Sequence, residues 1–171
     1  IGWSIEHARA VKRIERVIVS TDCQEIADVA RQYGAEVPFL RPDVYSTDTS
    51  IDRDFLFHAI NWLNDHEGYM PEYWVHLRPT TPLRSIEILD NAIDLIQSNN
   101  ASTSLRSGHK APESPFKWFF KEGQYFNGLL DNEGYNLPKE AFSQVYIPDG
   151  YIDIVKASFM MENETIHGDK M

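Results

Sequence analysis

The stretch from Tyr73 to Arg84 (Tyr-Trp-Val-His-Leu-Arg-Pro-Thr-Thr-Pro-Leu-Arg) places the strongest constraint on how this chain can fold. Its first half has the aromatic and aliphatic composition of a buried strand. Pro79 and Pro82 have no backbone N–H to donate to a neighbouring strand, so the chain must leave the sheet at Arg78. The sequence therefore predicts a central strand that ends in a proline-stiffened loop.

The loop after this strand carries the hydroxyls of Thr80 and Thr81 between the guanidinium groups of Arg78 and Arg84. Open α/β sheets bind ligands just past the carboxyl ends of their strands. Arginine side chains at that position suit planar anions such as phosphate or carboxylate. A stiff turn with two solvent-exposed arginines is equally compatible with the composition.

Composition narrows the class of protein. The chain has 171 residues, enough for one domain with a sizeable core, and 42% of them are hydrophobic, which argues against disorder. A formal net charge of −10 argues against a general nucleic-acid or anionic-membrane binder. The single cysteine, Cys23, excludes an internal disulfide and favours a reducing, cytoplasmic compartment. We see no apolar run long enough to span a membrane and no signal peptide.

Helices and strands alternate over the first two thirds of the chain. Helical apolar spacing covers 2–13 and 24–33, then Ile51 to Leu63, and then Ile88 to Ile96 after a Ser85 cap. Short apolar runs at 16–20, 36–40 and 101–106 indicate strands, and Gly34 closes the second helix in a left-handed conformation. This alternation predicts a mostly parallel sheet with helices on both faces. Helical patterning is already under way at Ile1, so we expect the native N-terminus to lie further upstream.

The pattern changes after Ser107. Residues 107–147 are rich in Gly, Pro and aromatic side chains, and turns at Glu122-Gly123 and Glu133-Gly134 predict hairpins. Such an aromatic lobe is a candidate oligomer interface or pocket lid. Strand character returns from Val145 to Val155, and a helix is expected to begin near Lys156.

Several motifs in order carry a family resemblance. They are 16–22 (Arg-Val-Ile-Val-Ser-Thr-Asp), 34–42 (Gly-Ala-Glu-Val-Pro-Phe-Leu-Arg-Pro), 46–48 (Ser-Thr-Asp), 76–84, and 148–150 (Pro-Asp-Gly). Together they resemble the CMP-N-acylneuraminate (sialic acid) synthetases, cytidylyltransferases that make CMP-activated nonulosonic acids. The resemblance implies one domain over 1–171 with a Rossmann-like nucleotidyltransferase fold, a β-hairpin dimerisation lobe and a homodimer. It also implies CTP and a nonulosonic sugar acid as substrates, with Mg²⁺ as cofactor. The Gln-Gly-Asp-Glu-Pro type loop of the related Kdo-activating enzymes is absent from this sequence.

The resemblance also assigns roles to individual residues. Arg41 takes the place of a nucleotide-contacting arginine, and Asp48 that of an aspartate near the base or ribose, although a turn or helix-cap role suits Asp48 equally. Thr80 and Thr81 belong to the same nucleotide side. Lys117 aligns with a lysine that faces the sugar acid, and an exposed hairpin lysine is the alternative. Sugar-side positions are completed by Arg78, Arg84, Asp149 and Asp153.

Departures from the family pattern cluster on that sugar side. Arg78 replaces a usual glutamine, Ile147 an arginine, Asp149 an asparagine and Asp153 a tyrosine. We therefore expect a nonulosonic acid other than plain N-acetylneuraminate, with Arg78 binding the carboxylate that the aliphatic side chain of Ile147 is unable to bind. The family's glycine-rich triphosphate loop and its Asp-x-Asp metal motif match nothing between Ile1 and Met171. Catalytic residues and metal ligands are accordingly unassigned. We expect a mid-sheet strand to be missing, and we therefore expect this chain alone to be inactive.

Two other functions stay open. The fold could serve as a non-catalytic, regulatory nucleotide-binding module, or as a sugar-nucleotide glycosyltransferase. The Asp52-Arg-Asp54 motif resembles the metal site of glycosyltransferases, but acidic residues are favoured in any first helical turn. The histidines show no zinc-ligand spacing, and Cys23 has no basic neighbour in sequence to activate it as a nucleophile.

Overall fold

The computed structural model describes residues 1–130 and 133–171. The chain forms two compact units. The first contains Ile1–Arg106 and Gly150–Met171, and the second contains Ser107–Asp149.

Five α-helices belong to the first unit: α1 (Gly2–Ala10), α2 (Gln24–Gln32), α3 (Asp52–Glu67), α4 (Ile86–Ser98) and α5 (Ala157–Asn163). Every helix predicted from apolar spacing is present, although α1 ends before residue 13 and α3 extends beyond Leu63. Gly34 follows α2 with φ of 83°, which confirms the predicted left-handed position. Asp52 and Asp54 lie in the first turn of α3 as expected, where the helix dipole favours carboxylates.

Five strands accompany these helices: β1 (Tyr73–His76), β2 (Ser104–Lys110), β3 (Phe119–Glu122), β4 (Tyr125–Gly128) and β5 (Tyr146–Lys156). One sheet has the order β1-β5-β2, and β3 and β4 form a separate two-stranded sheet. β1 runs antiparallel to β5, with Tyr73 opposite Lys156 and His76 opposite Asp153. The predicted strand at 101–106 begins later, at Ser104, and extends to Lys110.

The sheet differs from the mostly parallel one predicted. Among the described residues, parallel pairing outside the named strands is limited to a bridge between Ile18 and Glu36. It consists of the Val19 N–H donating to Glu36 O (2.9 Å) and the Glu36 N–H donating to Val17 O (2.8 Å). The segments 16–20 and 36–40 therefore do not become regular strands. The segment 15–20 and β1 line a common cavity of about 710 Å³, and among the described residues they do not pair with each other.

The core of the first unit lies on both faces of β5. On one face, Ile152 and Ile154 pack with Val11 and with Leu89, Ile93 and Ile96 of α4. On the other face, Val155 packs with Leu56 and Ile60 of α3 and Met160 of α5. Helices therefore cover both faces of the sheet, as predicted. Each fully buried aliphatic side chain in these clusters contributes roughly 1.5–3 kcal/mol. None of the helices in the described part of the chain combines the length and apolar composition needed to cross a membrane.

The second unit is built around the β3–β4 hairpin. Its turn lies at the predicted Glu122-Gly123, and Phe119 lies opposite Gly128 in the register. At the second predicted turn the structure has a 3₁₀ turn, Glu133–Asn136, instead of a hairpin; Asp131 and Asn132, just before it, lie outside the described residues. Aromatic side chains along the hairpin are largely exposed, Tyr125 by 72% and Phe126 by 69%.

Candidate functional site

The loop that follows β1 turns sharply at the predicted position. The Thr81 N–H donates to Arg78 O at 3.1 Å, which closes a turn directly after the strand. Thr80 is exposed there and Thr81 is half-buried. Gly150 of β5 lies against this turn with φ of 68°, a conformation that favours glycine. The two candidate nucleotide-side hydroxyls are therefore held on a fixed turn at the end of β1.

Arg84 fixes the other end of this loop. Its side chain donates from Nε to Tyr151 O (2.6 Å), from Nη1 to Ser4 Oγ (3.1 Å) and from Nη2 to Arg78 O (2.7 Å). The residue is only 6% exposed, and this burial lowers the pKa of Arg84. Because its donors are engaged with the chain itself, the geometry gives Arg84 a positioning role. Direct contact of Arg84 with a sugar stays a prediction.

Arg78 lies at the centre of a charged network. Its Nη1 donates to Asp153 Oδ2 at 2.5 Å, and its Nη2 donates to Asp52 Oδ2. Arg106 Nε lies 3.1 Å from the other carboxylate oxygen, Asp153 Oδ1. Burial opposes the charge on Arg78, but the hydrogen bonds to Asp153 and Asp52 outweigh it and raise the pKa of Arg78. The guanidinium is therefore firmly cationic and held by two carboxylates.

This network lines a small cavity of about 250 Å³, which we call the Arg106 pocket. It is bounded by Ile51, Asp52, Arg53, Leu56, His76, Arg78, Arg106, Asp153, Val155, Ile166 and His167. Burial lowers the pKa of His76, and the charge of Arg78 lowers it further. Burial, followed by the charge of Arg106, likewise lowers the pKa of His167, whose Nδ1 lies 3.0 Å from Ser104 Oγ. Both imidazoles are therefore neutral near pH 7.

Arg41 lies at the larger cavity of about 710 Å³, which Asp52, His76 and Arg78 also line. Its Nε donates to Ser46 Oγ at 3.0 Å, and its guanidinium lies 5.5 Å from the centre of the Phe55 ring. The structure thus brings one predicted nucleotide-side arginine and one predicted sugar-side arginine to the same cavity. Asp48 is exposed in the turn that the Ser50 N–H closes on Thr47 O.

Two predicted sugar-side residues belong to the second unit. Lys117 ends the 3₁₀ turn Pro115–Lys117 and is half-buried. Asp149 accepts a hydrogen bond from Ser107 Oγ at 2.5 Å. Their roles stay predictions.

The described residues do not form an acidic metal site. Asp52 is bound to Arg78, and Asp54 lies 3.4 Å from Arg53. Within 1–130 and 133–171, no group of three or more His, Cys, Asp or Glu side chains is placed to hold a metal ion. The described residues therefore do not offer the implied Mg²⁺ a ready-made cluster of protein ligands.

Sequence reasoning did not identify Asp52 as a partner of Arg78, nor Arg106 and the two histidines as lining residues. One usable sequence signal was Asp153 itself, a lone charge within the apolar run Ile152 to Val155. A carboxylate in such a run requires a buried cationic partner.

The sequence of this chain is similar to those of known proteins. A family model described as cytidylyltransferase matches residues 1–125. The N-acylneuraminate cytidylyltransferase of Escherichia coli is 32% identical over 98 residues, which cover 57% of this chain and 22% of that protein. The CMP-N,N'-diacetyllegionaminic acid synthase of Legionella pneumophila is 39% identical over 87 residues, covering 47% of this chain and 34% of that protein.

A solved structure supports the fold independently. The CMP:2-keto-3-deoxy-manno-octonic acid synthetase complexed with CTP superposes with a TM-score of 0.63 at 15% identity. The match covers 96% of this chain and 66% of that one. The chain therefore has the fold of that structure over nearly its whole length, while it spans only part of each of these relatives.

Proposed function

Because this chain belongs to the cytidylyltransferase family, we propose that the protein transfers CMP from CTP to the anomeric hydroxyl of a sialic-acid-like nonulosonic acid and releases pyrophosphate. The relatives named above act on N-acylneuraminate and on a diacetyllegionaminic acid, which are sugar acids of this class. The observation that carries the proposal is the cavity lined by both Arg41 and Arg78. This cavity brings together an arginine that the family resemblance assigns to the nucleotide and one that it assigns to the sugar acid, the two anions of the proposed reaction.

The chemistry can be stated from the atoms involved. The anomeric oxygen forms a bond to the α-phosphorus of CTP, the bond from that phosphorus to the bridging oxygen breaks, and the hydroxyl proton is released. Because both reactants are anionic, catalysis depends on positioning and charge neutralisation. In this proposal Arg41, Asp48, Thr80 and Thr81 face the nucleotide.

Arg78 and Asp153 belong to the sugar side of the proposed site, and Arg84 holds the loop that carries Arg78. The family resemblance also assigns Lys117 and Asp149 of the second unit to the sugar acid. We propose a sugar acid other than plain N-acetylneuraminate, because the residues that depart from the family pattern lie on this side. The ion pair between Arg78 and Asp153 supports this, since it links two of those departures in one contact.

Mg²⁺ enters the proposal only as a cation supplied with CTP. The described residues do not form a site for it, so no step is assigned to the ion. We place the protein in the cytoplasm, where a sequence with one cysteine is compatible with reducing conditions.

We further propose a homodimer formed through the second unit. Five aromatic side chains of this unit are each about half exposed or more: Trp118, Phe119, Phe120, Tyr125 and Phe126. An exposed aromatic surface of this kind is typical of protein interfaces. Analytical sedimentation of the wild type and of Phe126→Ser tests the proposal. We expect the wild type to be a dimer and Phe126→Ser to be a monomer. A monomeric wild type would contradict the proposal.

The decisive experiment measures pyrophosphate release by the natural full-length protein with CTP, Mg²⁺ and a panel of nonulosonic acids. Release with one acid, and with CTP but not ATP, UTP or GTP, is the expected result. Binding of CTP without release with any acid would favour the regulatory module. Acceptor-dependent release of nucleotide from a sugar nucleotide would favour the glycosyltransferase.

A further inference from the structure

The Arg106 pocket contains a guanidinium group with unused hydrogen-bond donors, which is what a carboxylate site requires. We propose that Arg106, rather than Arg78, binds the carboxylate of the acceptor, and that Asp153 accepts a hydrogen bond from a neighbouring hydroxyl or amide of the same ligand. The identity of that ligand as a sugar acid rests on the proposed function.

The two arginines differ in how far their donors are already used. Both terminal nitrogens of Arg78 are bound, one to Asp153 and one to Asp52. Arg106 makes only the 3.1 Å contact from Nε to Asp153 Oδ1, and within the described chain its two terminal nitrogens have no hydrogen-bond partner. Its side chain is 32% exposed, so this pair of donors is accessible. A planar pair of N–H groups matches a carboxylate.

The charge balance of the pocket leads to the same residue. Three guanidinium groups and two carboxylates line it. Both carboxylates bind Arg78, and Arg53 is paired with Asp54, which lies outside the lining. The positive charge of Arg106 is therefore shared only with a carboxylate that already neutralises Arg78. With Arg53 paired to Asp54, the two remaining guanidinium groups balance the two carboxylates. The terminal nitrogens of Arg106, and not a net positive charge of the pocket, therefore suit an anionic group.

Asp153, the carboxylate that Arg106 contacts, supplies a second feature. Its side chain is 3% exposed, and its Oδ1 has no hydrogen bond within the described residues despite the nearby Arg106. A buried acceptor without a donor is costly, and a ligand that donates to it recovers that cost. Carboxylate and donor must then lie close together on the ligand. Nonulosonic acids meet this condition, because one carbon carries both the carboxylate and a hydroxyl.

The size of the pocket limits what enters it. About 250 Å³ is below the 300–1,000 Å³ range typical of complete ligand sites. The pocket therefore encloses only the acid end of the sugar, and the nucleotide must lie at its opening, within reach of the anomeric hydroxyl.

Calorimetric binding of N-acetylneuraminate and N,N'-diacetyllegionaminate tests the assignment, with the methyl ester of the tighter acid as the uncharged probe. For Arg106→Gln we expect binding of the acid to weaken about tenfold or more, the range for a charge-assisted pair, and binding of the ester to be unchanged. Arg53→Gln removes the same charge from the same lining and should change the Kd less than about twofold. Arg106→Lys should restore part of the loss. Circular dichroism of each variant checks that the fold is intact.

Four outcomes would overturn the assignment. In the wild type, these are equal binding of the acid and the ester, or no binding of either acid. In the variants, they are equal losses of acid binding in Arg106→Gln and Arg53→Gln, or a loss of acid binding in Arg78→Gln without one in Arg106→Gln. Pyrophosphate release by the full-length protein is scored separately. Release that Arg106→Gln leaves unchanged overturns this assignment alone. Acid binding through Arg106 without any release overturns the proposed function alone.

Discussion

Asp153 shows how one residue can connect the core to the site. It lies on β5 between Ile152 and Ile154, whose side chains belong to the apolar cluster on the opposite face of the sheet. A carboxylate buried this deeply costs several kcal/mol unless cations compensate it. Arg78 and Arg106 provide that compensation from the loop after β1 and from β2. The pairing thus fixes Arg78 at the end of β1, where it lines the Arg106 pocket.

Replacement of Asp153 by Asn should therefore destabilise the protein by about 3 kcal/mol, because it leaves two guanidinium groups without their buried partner. The urea midpoint at pH 7, with an unchanged slope, is the measurement. Asp54→Asn removes a half-exposed partner of Arg53 and should cost less than about 0.5 kcal/mol. Equal costs for the two variants would show that burial of the network contributes nothing.

At the scale of elements, Arg84 joins three parts of the first unit. Its guanidinium bridges Ser4 of α1, the carbonyl of Arg78 in the loop and the carbonyl of Tyr151 in β5. A lysine ammonium keeps the charge but cannot reach three acceptors in this planar arrangement. The role of Arg84 is therefore geometric, and the charge alone does not replace it.

Arg84→Lys should consequently lower stability by about 2 kcal/mol, since at least one of its three acceptors, the buried Ser4 hydroxyl and two part-buried carbonyls, loses its donor. The matched control is Arg13→Lys, because Arg13 bridges Asp90 and Asp94 on the exposed side of α4 and should lose less than about 0.5 kcal/mol. Denaturant unfolding of both variants tests the difference. A loss in Arg84→Lys no larger than that of the control would refute the bridging role.

The packing of α3 on the preceding loop should depend on pH. The centre of the His58 ring lies 4.7 Å from the centre of the Phe39 ring, in an edge-on contact, and 5.4 Å from the centre of the Tyr45 ring. Burial, and then the charge of Arg41, lowers the pKa of His58 below its usual 6.5. The folded protein therefore binds this proton more weakly than the unfolded chain does. The corresponding stability is complete above pH 6.5 and is lost as the pH falls through the lowered pKa.

We expect the urea midpoint to fall between pH 7 and pH 5, and the fall to be smaller in His58→Phe. His76 has a pKa lowered by burial and by Arg78, so part of the pH dependence should persist in that variant. His66 stacks on Trp62 at the exposed end of α3, and His66→Phe is the matched histidine-to-phenylalanine change with which His58→Phe is compared. A midpoint that does not change over this pH range would contradict the lowered pKa values.

Local patterns predicted the elements well and their pairings poorly. The apolar spacing of α4 and the glycine at 34 report on the chain within a few residues, so both were predictable. Contacts between Arg78 and Asp52 or Asp153 join residues 26 and 75 positions apart, and no local pattern records them. Asp52 also had a sufficient explanation in the helix dipole, which concealed its second role. Arg106 lies in β2, and the order of apolar and polar residues along this strand does not distinguish Arg106 from a surface arginine.

At the scale of the whole molecule, the larger cavity separates two edges that would have to act together. β1 is the edge of its sheet and pairs only with β5, while the segment around Ile18 pairs with Glu36. Both edges line the same 710 Å³ cavity, and so do Arg41 and Arg78. Within the described residues no strand bridges the two edges. Arg41, which follows the segment around Glu36, and Arg78, which follows β1, are thus attached to segments that no shared ladder of hydrogen bonds holds in register within the described residues.

This arrangement predicts that the 171-residue chain by itself does not release pyrophosphate from CTP, even with the sugar acid that the full-length protein uses. Phosphoryl transfer requires reacting groups placed within fractions of an ångström, and a displacement of about 1 Å costs about a hundredfold in rate. Hydrogen exchange should show the cause, with amides of 16–20 and 73–77 exchanging faster than those of 152–155. Release by this chain at the full-length rate, or equal protection of these segments, would mean that the open cavity does not limit activity. If the amides of β5 exchange slowly and the chain releases no pyrophosphate, the core around β5 is intact. The lack of activity is then due to the open cavity.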